Sequence, residues 1–261
     1  MQRLTPSEVL LQSLGITEPH EIDLEAIAWD QGAEVKYRNL EGCEARILGA
    51  GDRAIITIHQ GIYDRRKRFS IGHELGHWHH HRGKSFACRT EDIGNYAGVN
   101  ATSDAEKVAD NYSADLLLPR YIFNEVAKQY TRPTFDTIFS IADNFDVSKT
   151  CTAIRYVEYG NFPCMLVCYT QNGRKWFRRN KDVPAKLFPH DQLDHETEAI
   201  EVLFGEKSKT NRITSSGDSW FNWWKADRYE VCEETVRLVE GETLTLLTWK
   251  NEKMLEEAGK D

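Results

Sequence analysis

The segment Arg68-Phe69-Ser70-Ile71-Gly72-His73-Glu74-Leu75-Gly76-His77 carries the residue types from which metal-assisted hydrolysis is built. Two histidines four apart on a helix are separated by about 40° around the axis, so both imidazoles project from one face. That spacing lets two ring nitrogens reach one zinc ion at about 2.0–2.1 Å. Glu74 is offset around the helix, which places its carboxylate as a general base rather than a ligand. A surface helix with two stray histidines has no use for Gly72 and Gly76, since each glycine costs about 1 kcal/mol relative to alanine. The glycines, with Leu75 between them, predict a ligand helix packed closely into a core.

A catalytic zinc centre takes three protein ligands and keeps a fourth position open. The stretch 104–117 reads as a second helix, with Val108, Ala109, Tyr112, Leu116 and Leu117 on its apolar side and Pro119 beyond its end. Glu106 and Asp110 are four apart and share a face. The expectation is Glu106 as third ligand, with Asp110 accepting the other N–H of a ligand histidine and fixing its tautomer. Asp104, Asp115 and Glu91 are the alternative carboxylates. The run His79-His80-His81 reads as the solvated end of the helix, where imidazolium suits the dipole. His80 or His81 as third ligand would follow the metzincin idea, but that pattern wants a His six residues past the HExxH, where this chain has Gly83-Lys84. Cys88 lies between the two ligand helices: it is either a buried loop anchor or a thiolate that occupies the fourth metal position. Donors for the developing oxyanion would come from Tyr63, Arg66, Tyr96 or Tyr112. The strand 54–58 (AIITI) would bind a substrate backbone by β-addition if it forms a sheet edge.

These residues need elements to position them. Helices are expected at 5–15 (Thr5 as cap, Pro6 in the first turn), 23–31 and 62–82. Strands are expected at 33–38, 44–48 and 54–59, and 83–103 reads as a loop. Helices at 104–117, 120–130, 134–145 and 148–158 complete the first part. After Gly160 the pattern changes. Residues 163–170 and 174–179 read as a β-hairpin, where Asn172-Gly173 favours a type I′ turn. Strands follow at 229–239 and 242–249, with helix or loop across 183–226 and a charged, fraying end at 251–261. The fold expected is α+β: a zincin-like domain over 1–130, a helical segment over 131–160, and a mostly-β or α+β module over 161–261.

The 261 residues carry a net charge of −8, which argues against non-specific nucleic-acid binding by the whole chain. No segment approaches a membrane span, and the N-terminal stretch lacks the apolar core of a signal peptide, so the expectation is a cytoplasmic protein. The six cysteines are too sparse and scattered for a disulfide framework. Cys164 and Cys168 frame the apolar run Met165-Leu166-Val167, which reads as a buried strand. The opposing functional class is a binding protein. Residues 134–157 have helix–turn–helix spacing, with Lys149 and Arg155 on the second helix, and read more readily as a structural helix pair. Arg174, Lys175, Arg178, Arg179 and Lys181, interleaved with Trp176 and Phe177, form a basic-aromatic hairpin that could contact nucleic acid. The cluster Trp220-Phe221-Asn222-Trp223-Trp224 reads as core.

Residues 8–119 resemble the ImmA/IrrE family of zinc metallopeptidases, a branch of the gluzincins. The likeness rests on Ile22 to Ala28 followed by Gly32-Ala33-Glu34-Val35, on Arg66 to His77, and on Glu106 to Pro119. Val108 stands where the family often has a second Glu, and Ser113 where it often has Ala. The resemblance implies one zinc ion on His73, His77 and Glu106, Glu74 as base, and a regulatory peptidase that cuts a specific protein partner. The partner it implies is a helix-turn-helix transcriptional repressor whose cleavage derepresses stress-response or mobile-element genes. The alternative is a non-proteolytic DNA- or partner-binding regulator, or a toxin–antitoxin component, on a zincin fold.

Overall fold

The computed structural model describes residues 3–81, the backbone of 86–88, and residues 104–260. The chain is mixed α+β and forms two compact units, one of Met1–Val126 with Ala142–Ser148 and one of Ala127–Ile141 with Lys149–Asp261.

The first unit opens with α1 (Pro6–Ser13), started by a capping box in which the Thr5 hydroxyl accepts from the Glu8 N–H and the Glu8 carboxylate accepts from the Thr5 N–H. Glu8 also accepts from the Arg120 N–H at 2.8 Å and from its guanidinium at 3.1 Å, which ties α1 to the start of α5 (Arg120–Ala127). Asp23 caps α2 (Leu24–Asp30). Strands β1 (Ala33–Arg38), β2 (Ala45–Ala50), β3 (Arg53–His59) and β4 (Phe86–Cys88) form a sheet in the order β1-β3-β2-β4. β1 and β3 run parallel, and the other pairs are antiparallel.

The alternation in β3 sends Ala54, Ile56 and Ile58 into the core. β3 pairs on both sides, with β1 and with β2, so the AIITI strand has no free edge to offer a substrate. That correction follows from topology. Sequence pattern fixes which residues form a strand, whereas strand order depends on which connections cross. The three-residue β4 falls where a loop is expected, because so short a strand carries no period.

The sheet is covered by α3 (Asp64–His80), which is followed in the fold by α4 (Asp104–Leu117). Trp78 of α3 donates its indole N–H to the Gln31 carbonyl at 2.8 Å and lies directly over Gly49 of β2. Helices α6 (Phe135–Phe145) and α7 (Lys149–Tyr159) follow. The segment between them is held within the first unit by Arg65, whose guanidinium meets Asp143 at 2.7 Å and Asp146 at 3.1 Å. Residues 151–157 of α7 are buried on every side, so α7 is a core helix without the exposed face a groove reader needs.

In the second unit, β5 (Cys164–Thr170), β6 (Gly173–Arg179), β7 (Ile213–Ser216), β8 (Glu230–Val239) and β9 (Glu242–Thr248) form an antiparallel sheet in the order β6-β5-β9-β8-β7. β5 is buried from Cys164 through Tyr169, as its unbroken apolar run predicts. Cys164 and Cys168 are free thiols there, and burial pushes both up to about 12. One sheet face carries Met165, Val167, Tyr169 and Leu247 against Trp220, Phe221 and Trp223. The aromatic cluster is thus core as expected, except for Trp224, which is 70% exposed.

Three expectations are corrected here. The hairpin turn is not type I′, which needs positive φ at both central residues: neither Gln171 nor Asn172 has one, while Gly173 (φ 107°) opens β6 paired with Thr170, and the register of the hairpin shifts between Cys168 and Tyr169. The terminal stretch does not fray as a whole: Lys253–Lys260 forms α9, which buries Met254, Leu255 and Ala258 on one side. Its charged composition hides that narrow stripe. Within 183–226, the short helix α8 (Ala199–Leu203) is joined by strand β7, which a polar Ile-Thr-Ser-Ser sequence does not announce. Among the described residues, no helix is long and apolar enough to cross a membrane.

Candidate metal centre

The site is made by the approach of α3 to α4. A Cβ on Gly72 would come within 2.5 Å of the Ser113 hydroxyl oxygen, and one on Gly76 within 2.8 Å of the Ala109 Cα. Only glycine lets the helices meet at that separation. Opposite Gly72, the Ser113 hydroxyl donates to the Phe69 carbonyl at 2.8 Å. Ser113, a departure from the family pattern, thus bonds across the helix pair. Val108 is among the exposed apolar residues.

The close approach brings three lone-pair atoms together. His73 Nε2 lies 3.0 Å from Glu106 Oε2, His77 Nε2 lies 3.3 Å from the same oxygen, and the two Nε2 atoms are 3.1 Å apart. His73, Glu74 and His77 are buried, and Glu106 reaches in from the first turn of α4. His73 Nδ1 lies 2.9 Å from Asp110 Oδ1. Asp110 accepts from Nδ1–H, so Nε2 of that ring presents its lone pair to the cluster.

The field at this point favours positive charge. Burial alone would lower the His73 pKa, but hydrogen bonds to Asp110 and Glu106 and the charges of Asp110 and Glu74 outweigh it and raise the ring to about 9. Glu106 is held down to about 2, against its own burial, by hydrogen bonds from His73 and His77. Where the two imidazole nitrogens carry no proton, they and the carboxylate oxygen present lone pairs to one point, which is where a cation would sit. Their separations of 3.0–3.3 Å are close to the edge of a tetrahedron of zinc ligands, about 3.3 Å for bonds of 2.0–2.1 Å. His73, His77 and Glu106 also form the group that could hold a metal among the described residues. Donor types, spacing and field all fit a zinc ion.

The other sequence candidates are distributed as follows. Asp110 is beside His73, and the charge of Glu74 is felt at His73. Tyr63 is exposed at the start of α3, about 15 Å along the helix from His73 at 1.5 Å per residue. Arg66 forks onto Glu44 at 2.6 and 3.1 Å. Tyr112 is buried, stacked on His79 with ring centroids 5.3 Å apart, and its hydroxyl is pushed up to about 12 by burial. Tyr63 thus stands away from the three-atom cluster, Arg66 is engaged with Glu44, and the Tyr112 ring packs against the histidines at the end of α3. Tyr96, Glu91 and the Cys88 side chain lie outside the described residues. His79 and His80 are exposed at the end of α3, as read.

Sequence reasoning missed Glu44. It is buried at the start of β2, takes the Arg66 fork, and accepts from the Ser70 hydroxyl at 2.6 Å, so it anchors α3 one turn before the first histidine. A lone Glu ahead of a short strand gives no signal of that role. In the other unit, three of the cations of the basic hairpin face acids: Arg174 faces Asp191, Lys175 faces Glu242 and Arg178 faces Glu158. Much of its charge is neutralised within the fold.

Comparison with known proteins gives two findings. Residues 26–156, half of the chain, match the family model Peptidase_M78, the IrrE N-terminal-like domain. Among solved structures, a Mycobacterium tuberculosis transcriptional regulator superposes with a TM-score of 0.60 at 13% identity, over 93% of this chain and 74% of that one. At that identity the likeness is one of fold. No curated protein matches.

Proposed function

This chain belongs to the IrrE N-terminal-like peptidase family, and on that premise we propose that it is a zinc-dependent regulatory endopeptidase. The observation that carries the reading is the convergence of His73 Nε2, His77 Nε2 and Glu106 Oε2 to within 3.3 Å in a negative field. His73, His77 and Glu106 would hold the ion, and bound zinc would supply Lewis acidity to a water and to the scissile carbonyl. Asp110 keeps the Nδ1 proton of His73 in place, which fixes the ring orientation and keeps Nε2 basic. The Glu74 carboxylate takes the proton of the attacking water and delivers it to the leaving amide nitrogen. Its burial beside His73 removes competing solvent and strengthens each of these interactions.

The substrate we propose is a partner protein, a small helix-turn-helix repressor whose cleavage releases its genes. Family membership supports this, and a structural neighbour described as a transcriptional regulator agrees with a role in gene control. The reading places the protein in the cytoplasm, where such a partner acts. The test is to incubate the full chain and zinc with the repressor encoded beside its gene, and to follow products by mass spectrometry. A single cleavage, abolished by chelator and by Glu74→Gln while zinc stays bound, is expected. Cleavage by Glu74→Gln at the wild-type rate would remove Glu74 as the base, and an intact partner in all samples would remove the substrate assignment.

A further inference from the structure

A cleft of about 560 Å³ opens in the second unit, at one end of its sheet. Its lining brings Arg132, Arg212 and Lys250 together with only one acid, Glu252. In a chain of net charge −8, three cations around one concavity run against the general balance. Lys250 has a loose partner, Glu230 at 3.8 Å. Arg132 and Arg212 have no close ion pair with a described acid, although Arg212 feels the charge of Glu234, two residues along β8 from Cys232. Arg212 is nevertheless held in place: its guanidinium donates to the Thr248 hydroxyl at 2.8 Å, and Thr248 is itself buried at the end of β9.

The floor is a cross-strand row. Thr214 pairs with Cys232 and Cys232 with Thr248, so the three side chains point to the same sheet face. The walls include Phe162 and Trp249, both partly buried, beside Pro133 and Pro163. The Trp249 ring itself packs on Phe221, with ring centroids 6.1 Å apart, and donates to the Met254 sulfur at 3.2 Å in the aromatic core, which leaves Phe162 as the lining aromatic outside that core. The cleft thus combines three features: a size suited to a small organic molecule, fixed hydroxyls beside the Phe162 wall, and an excess of cationic charge. Arginine forks match phosphate oxygens, and aromatic walls match a planar ring.

We propose that this cleft binds a small planar anion of the nucleoside phosphate class, with the phosphate toward Arg132, Arg212 and Lys250 and the ring against Phe162. The site lies wholly within the second unit and stands or falls without the metal centre.

Calorimetric titration of the full chain with adenosine monophosphate, inorganic phosphate and adenosine as probes tests it. The nucleotide is expected to bind more tightly than either part alone and to weaken as salt is raised. Arg132→Ala with Arg212→Ala should reduce nucleotide affinity by at least about tenfold, with unchanged circular dichroism, whereas Lys181→Ala on the same unit should leave it unchanged. Arg212→Lys, which keeps the charge but loses the fork, should weaken binding less than Arg212→Ala. No heat with the nucleotide, affinity untouched by the double variant, or phosphate alone binding as tightly as the nucleotide would overturn the proposal.

Discussion

The α3–α4 pair and the five-stranded sheet solve opposite problems. The helix pair buries charge: His73, His77, Glu74 and Glu44 all lie inside, held by Asp110, Glu106, Arg66 and Ser70. To do so it gives up side-chain volume at Gly72 and Gly76. The sheet buries carbon: Trp220, Phe221, Tyr169 and Leu247 fill one face, and its one fully buried acid, Glu233, is satisfied by Trp220 Nε1 at 2.6 Å, Ser215 and the Glu198 N–H. The difference is one of tolerance. A core held by apolar burial degrades in proportion to the volume removed, whereas a converging set of polar atoms fails when any member is lost.

That contrast can be broken most sharply at His77. His77→Ala should abolish zinc retention, read by metal analysis of dialysed protein, and should leave the melting of the second unit in place. Trp220→Ala should do the reverse. It should destabilise the second unit by about 3–5 kcal/mol in denaturant titration, with zinc uptake intact. Equal loss of metal in both variants would erase the distinction between the regions.

How much of this was legible depends on the length scale of the signal. His73, Glu74 and His77 announce themselves because the spacing of their ligand atoms is set by one helix turn. Glu106 was reachable because it shares a face with Asp110 on a helix with clear apolar spacing. The bounds of α4, and those of α6 to within a residue, are legible because their burial is periodic; those of α7 and β1 are legible as closely from the signals before them, Ser148 and Gly32. The order of β3 in its sheet, the Glu44–Arg66 anchor and the cleft around Arg212 were not legible. Each depends on residues brought together from distant segments, and no local period encodes that. Likewise α9 was obscured because three buried residues among charged ones leave the average composition polar.

Smaller effects sharpen the comparison further. Gly76→Ala should cost about 1–3 kcal/mol in the first unit, since its methyl group meets the Ala109 backbone, and zinc affinity should fall with it. Asp110→Asn should weaken zinc binding by about 10–100-fold with little change in melting temperature, as expected for a residue that orients a ligand. The smallest effect is at Glu8. Burial would raise its pKa, but the Arg120 hydrogen bond and charge and the N–H groups of Thr5 and Arg120 lower it below the ordinary 4.5. The ionised form is therefore the stabilising one. Its contribution is full above about pH 4.5 and is lost as pH falls through the lowered value. The stability gap between wild type and Glu8→Gln should narrow on acidification below that point, and a gap that widened would contradict the Arg120 pairing.

X-ray absorption at the zinc edge of the loaded, full-length protein tests the central claim most directly. The expected first shell contains two imidazole nitrogens with oxygen completing it and no sulfur. A zinc shell without imidazole, a sulfur ligand in the open position, or a protein that holds no zinc would contradict the account.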